Sequence, residues 1–581
     1  MSAARHEWQR STVAFGGPCM SRSRLIVLGG LLAGLAIAPV RADERLDRGV
    51  VALRRANGDV YVGWRLLAAD PTDVAFHVCR GTSSDGPFTR LTHEPIRDST
   101  NFVDQSAAAQ VGPLYYSVQA VVGGAPVAPA PAVSVADTPA GASCIPIRLA
   151  GRYTFQKAAA ADLDGDGRYD YVIKQPDFNV DPYEKPGYWK RSEDTYKIEA
   201  YRGDGKFLWR YDMGWSIEEG IWYSPYVVYD LDGDGKAEVY AKAGEGDPRD
   251  PDGRVTSGPE WLVKIDGLTG KVVRKIPWPD RSGYEKYNYY CRNLLGIAYL
   301  DGKRPHLIVE RGTYTQIKVE AYDPQLNLVW RWTSTQEKER YNGQGMHGMH
   351  AADIDGDGRD EIILGSAVLD ENGHGLWTRG VGHPDACYVG DIDPKHPGLE
   401  IFYGIEPSQK RDAVCLVDGR SGKLLWGCDE PSTHVHSAGM CADIVAEYPG
   451  QECYAGEKDG SRYWLFAADG KRIGDRAIGG LNPRAAWWDA DPQKELVLSG
   501  GIARYQQKSY EAIEGTVVTI ADVLGDWREE IITSVPGELR IYTTTIPATT
   551  RRVCLMQDRL YRVDVALASM GYFYPPQLGG Y

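Results

Sequence analysis

A chain of 581 residues that is 25% charged and 43% hydrophobic can bury a sizeable core and is too polar for a multi-span membrane protein. Its 66 Gly, 35 Tyr and 16 Trp against 8 Met point to short strands and tight turns, which excludes helix bundles and disordered tails and predicts an all-β chain. The formal charge of -14 gives no basic surface for nucleic acid, and an acidic substrate would need local help from cations or Arg/Lys.

Residues 20–42 read MSRSRLIVLGGLLAGLAIAPVRA, with Arg22 and Arg24 ahead of an apolar run over 25–38 and a small-residue ending at Ala42. The run is shorter than the roughly 20 residues that cross a bilayer. A removable signal peptide is therefore predicted over residues 1–42, with Met20 as the true start and no permanent membrane anchor. The mature chain is expected to be secreted or periplasmic, where calcium is plentiful and disulfides persist. Cys415 with Cys428 and Cys441 with Cys453 are candidate bridges, and buried free thiols are the equal alternative.

Residues 43–122 alternate as VYVGW, AFHVCR and LYYSV, the first preceded by the turn Asn57-Gly58-Asp59. This predicts a small antiparallel sandwich, which resembles a fibronectin type III module and serves as a scaffold. The Ala/Pro-rich stretch 123–143 is predicted to be a semi-extended linker.

Beyond the linker one loop recurs. Asp162, Asp164, Asp166 and Asp170 stand at relative positions 1, 3, 5 and 9, with Gly at 4 and 6. The same pattern holds for Asp230, Asp232, Asp234 and Glu238, and for Asp353, Asp355, Asp357 and Glu361. An unneutralised carboxylate pair about 4 Å apart costs on the order of 4 kcal/mol at an effective dielectric of 20. Such a loop calls for a hard cation, and oxygen-only ligands on a flexible loop select Ca²⁺, with the carbonyl of Arg168, Lys236 or Arg359 as a further ligand. A solvated acidic turn is the bland alternative. An EF-hand is excluded because position 12, its bidentate Glu, is Ile173, Ala241 or Leu364, and because each loop runs into a strand-like segment such as YVIK or IILGS.

Degenerate copies follow at YLDGKRPHLIVE, VGDIDPKHPGLEIFYG, ADIVAEYPGQECYAG, WWDADPQKELVLSG and IADVLGDWREEIITS, making eight units. Most continue into a second hairpin marked by a turn and often a Trp, as in YRGDGKFLWRYD and VDGRSGKLLWG. Four strands per unit predict an eight-bladed β-propeller over residues 144–581. The degenerate hairpins hold by packing or keep partial metal sites, with Asp391, Asp393, Asp522, Asp526 and Glu530 as the candidates.

If each aspartate loop turns a hairpin, the residues before its first strand and after its second lie together at the opposite end. The preceding segments hold His347, His350, His383, His434, His436 and Arg484; the following ones hold Lys174, Lys242, Arg311, Glu406, Glu457 and Lys458. That end is the predicted chemical face; for any single His there, a satisfied core residue is the equal alternative.

The segments GIWYSPYVVYDLDGDGKAEVYAKAGEGDPRD, GQGMHGMHAADIDGDGRDEIILGSAVLD, GHPDACYVGDIDP and THVHSAGMCADI resemble the rhamnogalacturonan lyases of polysaccharide lyase family 11, and the likeness covers nearly the whole mature chain. The resemblance implies a calcium-rich eight-bladed propeller behind a small β domain, cleaving the rhamnose–galacturonate backbone of pectin by β-elimination. Where that family shows a His-Asp pair and a YNQPPH-like segment, this chain has Gln557-Asp558 and Tyr572-Phe573-Tyr574-Pro575-Pro576-Gln577. β-Elimination needs a neutralised carboxylate, a base for the C5 proton and help for the departing O4. A calcium ion with a basic patch at Lys242 and Arg311 is expected to do the first, His347 and His383 to complete a substrate-bridging metal site, and His350, Lys242 or Arg484 to be the base. His434, His436, Glu406 and Lys458 are expected to contact the sugar and Trp222 and Tyr223 to stack on it, although core packing is the commoner fate of Trp. The expected partner is an acidic plant cell-wall polysaccharide, bound by a monomer. A calcium-stabilised glycan-binding or adhesion propeller, or a lyase for another uronic polymer, is the alternative; the converging His/Lys/Arg set favours an enzyme.

Overall fold

The structure is a computed structural model that describes residues 44–136, 138, 143–337 and 340–580; the expected signal peptide lies outside the described residues. The described chain is all-β apart from the helix Arg559–Leu567, a single helical turn at Tyr287–Tyr290 and short 3-10 turns. Among the described residues no helix is long and apolar enough to cross a membrane.

The N-terminal part packs two antiparallel sheets. Val51–Arg54, Val60–Gly63 and Asn101–Asp104 form one; Ala75–Gly81 and Tyr115–Val122 centre the other. Alternation turns Val60, Val62, Phe76, Val78, Tyr116 and Val118 into a shared core around Trp64. Each such side chain contributes about 1.5–3 kcal/mol by leaving water. The stretch expected to be a linker departs from expectation. Ala125–Pro129 and Val133–Ser134 both pair with Tyr115–Val122, extending its sheet past residue 122. Ala125–Pro129 is exposed throughout, and an edge strand tolerates Pro because its missing N–H faces solvent.

Eight four-stranded antiparallel sheets follow among the described residues. Their first strands are Lys157–Ala161, Tyr226–Tyr229, Asn293–Ala298, Gly345–Ala352, Pro384–Gly390, Met440–Ala442, Ala485–Ala486 and Thr516–Ala521. The eighth sheet takes its fourth strand from the start of the region, Cys144–Arg148, which pairs with Glu538–Tyr542. Lys157–Ala161 contacts both Tyr226–Tyr229 and Thr516–Ala521, so first and last sheets meet.

Each aspartate loop joins the first strand of its sheet to the second. Gly165, Gly167, Gly233, Gly235, Gly356 and Gly358 all have φ between 75° and 94°, which explains the paired glycines of the pattern. The acid opening the second strand ties the loop back. Glu400 Oε2 accepts from Ile392 N and Asp393 N, Glu452 Oε2 from Ile444 N and Val445 N, and Glu495 Oε2 from Trp488 N and Asp489 N. Four of the five degenerate loops therefore keep this carboxylate after losing other acids; the third sheet has His306 in its place. Neighbouring sheets are linked by a recurrent tryptophan: Trp209, Trp330, Trp377 and Trp426 donate from Nε1 to Gly267, Glu371, Gly419 and Ala468 carbonyls of the next sheet. The ring lies so close to Gly270, Gly373, Gly422 or Gly470 that a Cβ there would come within 2.6 Å of it.

The C-terminal helix, capped by Asp558 on Tyr561 N, contacts the first strands of several sheets. Its tail continues the same role. Ser569 Oγ donates to Tyr226 O, Tyr572 N to His347 O and Gln577 Nε2 to Cys441 O. All nine described cysteines are free; Cys441 and Cys453 are cross-strand partners with sulfurs 3.6 Å apart.

Candidate active site

Strand period places His383 and Asp385 on one face of their strand, and the same spacing pairs His434 with His436 in the next unit. Asp385 is the hub. Its Oδ1 lies 3.1 Å from His383 Nε2 and 3.5 Å from His347 Nε2, and its Oδ2 lies 2.5 Å from His436 Nδ1. Ser437, held at φ 74°, donates its backbone N–H to Oδ2 at 2.8 Å, a strained conformation of the kind that collects at functional sites. Glu406 continues the cluster, 2.9 Å from His434 Nε2 and 3.7 Å from His383 Nε2. Burial alone would raise the pKa of Asp385, but hydrogen bonds from His383 and His436 hold it well below the usual carboxylate range. The pKa of His347 is lowered as well: burial first, then the neighbouring His383, pushes it far below its ordinary value, which keeps the imidazole neutral.

Aromatic walls fix the buried side. His347 packs between Trp222 and Tyr572 at ring distances of 4.5 and 4.7 Å, and its Nε2 is 3.0 Å from the Tyr314 hydroxyl. Ligand atoms of His347, His383 and Asp385 lie within 4.8 Å of one another, as do those of Asp385, Glu406, His434 and His436, so either group can close on a metal ion. Among the described residues the buried His347 Nδ1 has no hydrogen-bond partner. At His436 the cluster opens onto a cleft of about 370 Å³ lined also by Lys157, Asn179, Asn482, Arg484 and Tyr572.

Several expected residues lie elsewhere. Lys242 and Arg311 do converge, but on Glu260, at 2.8 and 2.6 Å, and both are buried, so they form an internal ion cluster instead of an exposed basic patch. Trp222 and Tyr223 are each 2% exposed, so neither offers a ring face to a sugar; Trp222 supports His347 and Tyr223 packs against Tyr287. Lys174 is buried on Ser224. Glu457 accepts from the Thr433 and His434 amides and so positions the His434 segment, while Lys458 stands exposed nearby with its charge lowering the His434 pKa after burial and against Glu406. His350 is three residues from His347 in a strand whose register shifts between Gly345 and His350, and its ring turns to the C-terminal helix instead of the cluster. There its Nδ1 is 2.8 Å from Asp564 on the C-terminal helix and its Nε2 is 3.0 Å from Cys387 O. It is a docking residue, not a base. Burial opposes its charge, yet Asp564 outweighs that and raises the pKa. The pair's stabilisation is thus full below the ordinary His pKa of about 6.5 and lost as the pH climbs through the raised value. His350→Gln should cost about 3 kcal/mol, as breaking a buried pair does, and lower the melting temperature, while the folded fraction keeps near-normal turnover. Loss of turnover without destabilisation would return His350 to the active site.

The aspartate loops fit a cation. Asp162, Asp164 and Asp170, Asp230, Asp232 and Asp234, and Asp353, Asp355 and Asp357 each bring three oxygens within 4.8 Å. Asp166 Oδ1 meanwhile accepts from Arg168 N, while Glu238 meets the Lys264 ammonium at 2.8 Å, so in that loop lysine supplies part of the neutralising charge. Buried Asp164 Oδ1 and Glu361 Oε1 have no hydrogen-bond partner among the described residues. Burial, then the neighbouring acids, pushes Asp170 up to about 7 and Glu361 up to about 8, a charge deficit that a divalent ion would relieve. Asp391 is raised by burial and by Asp393. The last loop corrects an expectation. Asp526 is bidentate to Arg528 at 3.0 and 2.8 Å, and Asp522 Oδ2 accepts from Leu555 N. Glu530 accepts from Val523 N, Leu524 N and the Thr543 hydroxyl. Tyr61 and Arg65 of the small sandwich reach the same loop, at Asp526 Oδ2 and Val523 O. Guanidinium groups stand where a cation was expected, and they dock the sandwich.

Asp385, Tyr314 and Lys157 carry no role in the reading of the sequence, and Tyr572 enters it only as part of the C-terminal segment. Asp385 was within reach, two residues after His383; the others depend on which sheets adjoin.

Residues 137–581 match the profile described as rhamnogalacturonan lyase family 11, C-terminal domain, and residues 41–136 the rhamnogalacturonan I lyases beta-sheet domain. Two Bacillus subtilis (strain 168) proteins are 36% identical: rhamnogalacturonan endolyase YesW, over 95% of this chain and 94% of its own, and rhamnogalacturonan exolyase YesX, over 93% and 95%. The crystal structure of exotype rhamnogalacturonan lyase YesX superposes with a TM-score of 0.84 at 34% identity, covering 93% of this chain and 96% of its own. A Bacillus licheniformis rhamnogalacturonan lyase does so at 0.83 and 34%, covering 94% and 97%. With both profiles matched end to end and the relatives aligned over nearly their whole length, this chain belongs to rhamnogalacturonan lyase family 11 and is a polysaccharide lyase.

Proposed function

We propose that the protein is a secreted, calcium-dependent lyase that cuts the rhamnogalacturonan I backbone of pectin by β-elimination at galacturonate. The observation that carries this reading is the cluster of His347, His383, Asp385, Glu406, His434 and His436 opening onto the cleft that holds Arg484. A divalent ion bound there would act as a Lewis acid on the uronate carboxylate. Asp385 and Glu406 would furnish its oxygens and the imidazoles its nitrogens, a mixed set in which imidazole is the weaker partner for calcium. Arg484 offers the fork of donors that suits a carboxylate. A negatively charged chain thus binds an acidic polymer through local positive charge.

The closed succession of eight four-stranded sheets supports an eight-bladed β-propeller over residues 144–581, and the two-sheet unit ahead of it a fibronectin type III-like sandwich. Secretion is supported by the pattern of residues 20–42. Incubation with rhamnogalacturonan I and with homogalacturonan, following ultraviolet absorbance of the new C4–C5 double bond, tests the reading. Absorbance should rise on the first polymer, and product sizes separate endo from exo cleavage. No rise on either would sink it, and a rise on homogalacturonan alone would replace the substrate.

A further inference from the structure

Elimination needs a proton acceptor, and the cluster around Asp385 is poorly placed to be one. Both nitrogens of His383 are engaged, by Gly345 O and Asp385, and His436 Nδ1 is on Asp385. Burial drives the Tyr314 and Tyr572 hydroxyls well above their ordinary pKa. Lys242 is held by Glu260 and His350 by Asp564.

Lys157 differs from all of these. It opens the first strand of the first sheet and lines the cleft together with His436, Arg484 and Tyr572. Among the described residues lining that cleft it is the one primary amine. Its Nζ donates to Gly571 O at 2.8 Å and, more weakly, to Ala568 O at 3.5 Å. An ammonium has three N–H groups, so two anchored on carbonyls leave the third position for the cleft, as N–H when charged and as a lone pair when neutral. We propose that Lys157 Nζ takes the C5 proton of the galacturonate, a role that rests on the lyase reading above. The C5–H bond breaks as N–H forms; the C5 electron pair becomes the C4–C5 π bond; the C4–O4 bond breaks with its pair on O4, which takes a proton from water. In galacturonate C5–H and O4 lie on opposite ring faces, so the base and the O4 proton source are separate groups.

The electrostatics suit the task. The titratable side chains around Lys157 are Arg484 across the cleft, Lys174 paired opposite it in the next strand, and His436 in the lining. Burial, then Arg484, brings Lys157 down to about 7, where a neutral amine is abundant.

The test compares wild type, K157A and K157R on rhamnogalacturonan I by steady-state kinetics, with melting temperatures alongside. Both variants should lose about 10³-fold in kcat with KM within a few-fold, as removal of a general base does. Methylamine and ethylamine should restore K157A in proportion to amine basicity and leave K157R unaffected, because the arginine fills the space. More than a third of wild-type kcat in K157A, or an inactive but normally folded K157A that no amine restores, would overturn the role. Should K157A not fold, the wild-type profile decides. The kcat/KM should rise with pH to a plateau with an apparent pKa near 7, and Arg484→Gln should move that limb upward by removing a repelling charge. A limb still rising toward the ordinary lysine pKa of about 10.4 would overturn it. Absence of wild-type turnover would instead overturn the lyase reading, and this role with it.

Discussion

Asp385→Asn is expected to lower kcat by about 10³-fold or more and to abolish metal binding at the cluster, with the melting temperature shifted by only a few degrees. The amide keeps the size of the carboxylate and can still accept from Ser437 N, so the backbone at that strained residue stays in place. What disappears is the negative charge shared by His347, His383 and His436. Three imidazoles facing an amide lose the group that orients them, and any cation bound there loses its central oxygen donor. Asp385 also makes a signed contribution to stability: its pKa is depressed, so that contribution is present above the ordinary carboxylate pKa and is lost as the pH falls through the depressed value. The variant should therefore show a weaker acid dependence of unfolding than wild type. Turnover within tenfold of wild type, measured by double-bond absorbance together with bound-metal analysis, would remove Asp385 from the centre of the site.

Chelation should produce the largest change in stability. Ions held only by the folded loops stabilise by mass action, about 2.7 kcal/mol for each site at a free ion concentration of 100 Kd, so EDTA should lower the melting temperature by several degrees. Asp355→Ala should reproduce part of that loss and blunt the response to added calcium. Asp526→Ala should destabilise equally with and without calcium, because its partner is Arg528. The chelated protein should also respond to pH in a defined direction. Glu361 at about 8 and Asp170 at about 7 are raised, so the ion-free folded state holds more protons than the unfolded chain and loses stability as the pH rises from about 4 to about 8. Calcium binding near neutral pH should accordingly release protons, measurable in weak buffer. Thermal unfolding unchanged by EDTA, with no metal in the purified protein, would contradict the cation assignment.

Local chemistry explains what could be read from the amino-acid order. Paired glycines at φ near 80° and alternating carboxylates define a turn between strands without reference to anything distant, so the three full aspartate loops were legible. The two-residue spacing that sets His383 beside Asp385 was equally legible, whereas the irregular register between Gly345 and His350, which the sequence does not show, accompanies the turn of His350 away from His347. Two expectations failed for a single reason, the identity of a distant neighbour. The loop of Asp522 and Asp526 looks like a weakened metal site until Tyr61 and Arg65 arrive from another sheet and Arg528 folds back onto it. Lys242 and Arg311 look like free cations until Glu260 is placed between them.

The sequence by itself determined the strand-rich class, the number of repeating units and the family, because these reside in periodic patterns and long contiguous motifs. Only the tertiary structure decided which polar groups meet. The first strands of the sheets converge, and the C-terminal helix and tail occupy the region between them, so residues 571–574 come to lie on His347 although more than two hundred positions separate them in the chain. Arg484, leading into the seventh sheet, and Lys157, in the first, share one cleft because both reach the eighth sheet that lies between them as the succession closes, bringing two like charges together where Lys157 is buried. Burial and charge neighbours set the protonation of such groups. Both are properties of packing, invisible in a list of residues until the sheets close.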